Sequence, residues 1–234
     1  MQKQLNNNGF QFPQTNVTRV GRKIFFTGDV TEDSISELLK LITEVETEDG
    51  EQQPQEKIEV LINDLMTAVD LKKKKTVEVN KIHEILDDAI DTYNDDTSMD
   101  KTPIELYISS CGGSIYDAMA FVDYTGLIKT PIHTIAMGKC MSAGTLMLIA
   151  GDRRFATQNA TILIHQMSAG TIGSFQTMLE DMIEFQRLQD LVNEIIMTYT
   201  NVTEDFLQQI QESKYDYYMD ALEAKELGII DEII

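Results

Sequence analysis

The chain has 234 residues, 42% of them hydrophobic and 25% charged, which is enough for one sizeable core. A formal net charge of -20 repels phosphate backbones and anionic bilayers, so neither nucleic acid nor membrane is an expected partner. Two cysteines and three scattered histidines supply neither a disulfide framework nor tetrahedral ligand spacing, so no metal or other cofactor is expected.

Residues 1–22 are polar and rich in Gln and Asn, and read as a flexible N-terminal arm ahead of a domain over 23–234. The arm holds no apolar signal core, and no apolar run approaches the roughly 20 residues that span a bilayer, so a cytoplasmic location is expected. Lys23 to Gly28 reads as a buried strand, and Ile35, Leu38, Leu39 and Ile42 predict a helix over Ser34–Val45. Residues 46–101 interrupt the domain as an acidic, mainly helical insertion. Ile58, Leu61, Ile62, Leu65 and Val69 share one helical face, Val79, Ile82, Ile85, Leu86 and Ile90 another, and the lysines at 72–75 between them complete a helical hairpin with a solvated turn.

From Ile104 the pattern alternates strand, glycine turn and helix. IELYIS runs into Gly112-Gly113, then a helix over Tyr116–Ile128; PIHTIAM turns at Gly138 into a helix over Ser142–Gly151; TILIH is a third strand. Repeated units of this kind predict an α/β fold with a largely parallel sheet. Met178, Leu179, Met182, Phe185, Leu188, Val192, Ile195, Ile196 and Tyr199 predict a long helix over 175–199, apolar enough to be covered by another subunit as well as its own.

Ser142 in GKCMSAG sits between a strand and a helix, where a side chain projects from a sharp turn. A plain helix N-cap is the bland alternative. His165 closes an apolar strand at the carboxyl edge of the sheet, where α/β sites form. A core histidine is the alternative there. Adjacent glycines in SSCGGSIYD allow backbone N–H groups to approach a ligand closely. Serine chemistry also needs a carboxylate to hold the base, and 39 acidic residues offer no local way to choose one.

In order along the chain, Phe26-Thr27-Gly28, Ser110-Cys111-Gly112-Gly113, Gly138 to Gly144, Ile164-His165-Gln166 and Tyr215-Asp216-Tyr217-Tyr218-Met219 resemble the motifs of ClpP, the proteolytic subunit of the Clp protease, within the ClpP/crotonase superfamily. The resemblance implies a spiral of strand-strand-helix units with a protruding handle helix at 175–199. It implies a serine endopeptidase in which Ser142 is the nucleophile, His165 the base and Asp216 its orienting acid. Backbone N–H groups of Gly112 and Ala143 would form the oxyanion hole. Gly113, Ser114, Ile115, Met167 and Ser168 would bind a peptide or unfolded protein as an added strand. Homo-oligomeric heptameric rings, stacked as a tetradecamer and fed by an AAA+ unfoldase, are the implied assembly. Cys111 stands where the family has proline, Ala143 where it has methionine, and Tyr215 where it has an arginine that locks the two rings. The alternatives are a catalytically silent subunit of mixed rings and a crotonase-like acyl-CoA enzyme. Both cysteines are expected to be small and buried, with no cation beside either.

Overall fold

A computed structural model describes residues 17–49, 102–213 and 216–234. The chain divides into two units, one built from residues up to Leu41 and from Pro103 to Ile234, the other running from Ile42 to Thr102. Of the second unit, the described chain is helical to residue 49 and buries Ile42 and Val45. The hairpin expected over Ile58 to Ile90, residues 1–16 of the arm and Tyr215 lie outside the described residues.

In the first unit, Val17–Val20 (β1) is a strand although composition places it in the arm. It pairs antiparallel with Lys23–Val30 (β2), with Val20 opposite Lys23. Gly21, at φ 61, makes the two-residue hairpin turn possible. A helix over 32–49 (α1) follows. It starts two residues ahead of the expected Ser34, and its cap is Thr31: the Thr31 N–H donates to Ser34 Oγ and the Ser34 N–H to Thr31 Oγ1.

Ile104–Gly113 (β3) buries Ile104, Leu106, Ile108 and Ser110 at the period of two that a strand imposes. Ile115–Thr125 (α2) is capped by Ser114, whose Oγ accepts from the Asp117 N–H. Ile132–Met141 (β4) continues through Gly138, where a turn was expected, because a φ of 72 at that glycine bends the strand without ending it. The bend divides its pairing. His133 to Ala136 pair with Arg153–Ala156 (β5), while Lys139 to Met141 pair with Thr161–Ile164 (β6). Between them Ala143–Ile149 (α3) is buried at every residue, since Gly144 and Thr145 let it approach the sheet closely.

Phe175–Tyr199 (α4), Glu204–Ser213 (α5), Tyr217–Met219 (β7), Ala221–Glu226 (α6) and Glu232–Ile233 (β8) complete the described chain. The mixed α/β class predicted from the alternation is the one adopted, with β2, β3, β4 and β5 parallel along one path and β6 leaving it at β4. The α4 helix buries Leu188, Val192 and Ile196 toward its C-terminal half but leaves Phe175, Met182 and Ile183 exposed in its first half. Among the described residues no helix is long and apolar enough to cross a membrane.

Candidate active site

Parallel pairing of β4 with β6 sets Met141 beside Leu163, so the residues that follow each strand, Ser142 and His165, emerge at the same end of the sheet. The imidazole Nε2 of His165 lies 2.8 Å from Ser142 Oγ. β7 runs antiparallel to β6 with Ile164 opposite Tyr217, which brings Asp216, just ahead of β7, opposite His165. Asp216 Oδ1 is 3.5 Å from His165 Nδ1, an ion-pair separation that is long for a hydrogen bond. His165 is the more enclosed of the two, its side chain 24% exposed against 55% for Asp216.

Ser142 has φ 54 and ψ -123, the one non-glycine residue with positive φ among the described residues. Such strain persists only where the surroundings over-determine it. Here they do: the Ser142 N–H donates to the Leu163 carbonyl at 3.0 Å, and its own carbonyl accepts from the N–H groups of Thr145 and Leu146 in the first turn of α3. The Thr145 hydroxyl adds contacts of 3.0 Å and 2.9 Å to the carbonyls of Cys140 and Leu163, tying the same turn to both strands. The amide of Ala143, at the first helical position, has no carbonyl within the helix to bond.

Gly112, the first of the glycine pair of β3, lies directly against this turn. A Cβ on Gly112 would fall 2.8 Å from the Met141 carbonyl oxygen and 2.8 Å from Ser142 Cβ. The Gly112 N–H donates to the buried Ser110 Oγ at 3.0 Å. The Ser114 N–H points across to β2, onto the Val30 carbonyl at 2.8 Å.

Ser142 and His165 share a cleft walled by Ile115, Ala143, Leu146, Leu163, Met167, Val192 and Ile196. Of the expected peptide-binding residues, Ile115 and Met167 line it, Gly113 and Ser114 hold β3 to β2, and Ser168 is exposed beyond it.

One sequence expectation is corrected. Cys140 is buried, donates its thiol to the Gly144 carbonyl at 3.2 Å, and is pushed well above its ordinary value by burial. Cys111 is exposed instead, and Lys139 Nζ sits 3.0 Å from its Sγ, a contact that raises the lysine above its ordinary range. The two residues are 28 apart in the chain and meet only because β3 and β4 are neighbours, a contact no local motif displays. Iodoacetamide is therefore expected to alkylate Cys111 in the folded protein and to spare Cys140, read by peptide mass mapping; modification of Cys140 alone would contradict this.

The sequence model that describes the Clp protease family matches residues 76–234, more than half of the chain and all of the site just described. The chain is also 34% identical over 141 residues to the "ATP-dependent Clp protease proteolytic subunit" of Deinococcus radiodurans, covering 59% of this chain and 68% of the relative.

Proposed function

The chain belongs to the Clp protease family, and from that premise we propose that it is a serine endopeptidase subunit that cleaves peptides and unfolded proteins. The 2.8 Å contact between Ser142 Oγ and His165 Nε2, at a serine held in a strained turn, is the observation that carries this reading. His165 Nε2 takes the Ser142 proton as Oγ bonds to the scissile carbonyl carbon, and returns it to the leaving amine as the C–N bond breaks. Water then repeats the sequence on the acyl-enzyme. Asp216 steadies the imidazolium, and its 3.5 Å separation shortens as that charge forms.

Ala143 N–H and one glycine N–H of β3 receive the oxyanion. Gly112 serves by releasing Ser110 Oγ, to which its N–H now donates. The chemistry asks for no cofactor in this subunit. The apolar cleft beside Ser142 favours an apolar side chain ahead of the scissile bond, since a charged one would be desolvated there without a partner.

Phe175, Met182 and Ile183, exposed on a single chain, support assembly through α4 into rings, which an AAA+ unfoldase would feed. A silent subunit of mixed rings is the reading that the long His165 to Asp216 separation favours. Fluorogenic peptides with leucine or aspartate ahead of the scissile bond, assayed with particle mass, decide between them. The proposal expects ring-sized particles that cleave the leucine peptide at least about tenfold faster. Ring-sized particles that cleave neither peptide would establish the silent subunit.

A further inference from the structure

We propose that Gln189 is a positioning residue for the peptide-binding segment: its buried amide oxygen takes the N–H of Met167 and sets the backbone against which substrate is aligned. This rests on the peptidase reading above.

Between the end of β6 at Ile164 and the start of α4 at Phe175, residues 165–174 form no helix or strand, so no ladder holds them. Yet this stretch starts at His165 and passes Met167 in the wall of the cleft. Its ends are held by His165 on Ser142 and by Ser174 on Thr177, and between them, among the described residues, two tethers fasten it, both to side chains of α4. The Met167 N–H donates to Gln189 Oε1 at 2.8 Å, and the Thr171 hydroxyl donates to Asp181 Oδ2.

Gln189 is 7% exposed and lies in the buried stripe of α4 with Leu188, Val192 and Ile196. A polar group there costs stability unless it is satisfied. Its Nε2 donates to Asn193 Oδ1 at 2.9 Å, and the same oxygen accepts from Gln211 Nε2 on α5 at 3.1 Å. The Met167 N–H can only donate, so the Gln189 atom that faces it is the oxygen, and Nε2 is left to donate to Asn193. The chain of bonds thus leads from α5 through α4 to the cleft.

The consequence is one of register. A peptide added as a strand bonds to alternate residues of its neighbour. With the Met167 N–H committed to Gln189, the groups left to face a peptide are those of Gln166 and Ser168. Loss of the tether frees Met167 and loosens that register while leaving Ser142 and His165 where β4 and β6 hold them. Binding suffers and the chemical step does not.

The test compares wild type with Gln189→Met, which keeps length but removes the acceptor. Peptide hydrolysis is read together with amide hydrogen exchange at Met167. In Gln189→Met, KM should rise about tenfold with kcat within about twofold, and Met167 exchange should accelerate about tenfold. A Gln189→Met variant with wild-type KM and exchange, or one whose kcat falls as far as its KM rises, overturns the proposal. Should Gln189→Met fail to fold, exchange at Met167 in the wild type as fast as at Ser168 overturns it equally. If assembled wild type cleaves no peptide, the peptidase reading fails, and exchange still decides whether Gln189 holds Met167.

Discussion

Ser142→Ala is expected to lower peptide hydrolysis by at least about 10³-fold while particle mass and thermal unfolding stay at wild-type values. The loss is large because the nucleophile and its base act as a unit: without Oγ, the His165 imidazole 2.8 Å away has no proton to take. The fold tolerates the change because the strained turn is held by backbone bonds, from the Ser142 N–H to Leu163 and from Thr145 and Leu146 to the Ser142 carbonyl, none of which uses the hydroxyl. Alanine at φ 54 bears the same backbone cost as serine. Activity that survives this substitution within tenfold would place the nucleophile elsewhere.

Gly112→Ala should cost about 10²-fold or more in kcat/KM for a different reason. An alanine there would hold an unfavourable φ of 98 and set its methyl 2.8 Å from both the Met141 carbonyl oxygen and Ser142 Cβ, closer than nonbonded atoms sit. None of these neighbours is the free end of a flexible chain, so the turn that carries Ser142 must move. A shift of even ~1 Å there breaks the alignment of Oγ with His165 and of the Ala143 N–H with the oxyanion. Gly126→Ala is the control. Gly126 has φ -75, and a methyl on it would meet the Asp123 carbonyl at an ordinary 3.5 Å, so kinetics should stay within about twofold of wild type. Equal effects from the two substitutions, measured on particles of equal mass, would remove the glycine pair from the site.

Much of the frame was legible because β3, β4, β6, α2 and α4 each carry their own period and their own glycine or polar boundary. What local pattern could not supply was contact. β1 was hidden because four residues of a polar-looking arm become a strand only when β2 is there to pair with. The true length of β4 was hidden because Gly138 looks like a stop unless β6 stands ready to pair beyond it. Ser142, His165 and Asp216 were named in the sequence through the order of their motifs, whereas their meeting depends on a parallel register and an antiparallel one that no single motif encodes. Gln189 and Lys139 escaped notice for the same reason. Each sits in an ordinary helix or strand pattern, and its partner, Met167 or Cys111, is 22 or 28 residues away.

The most direct measurement is labelling of the intact protein with a fluorophosphonate, followed by peptide mass mapping. Such a reagent phosphonylates a serine whose hydroxyl is activated by a neighbouring base, and reports on that pair without needing the right substrate. A single adduct on Ser142, lost in His165→Ala, is the expected result. No adduct on Ser142 in assembled particles, or one that persists without His165, would contradict it.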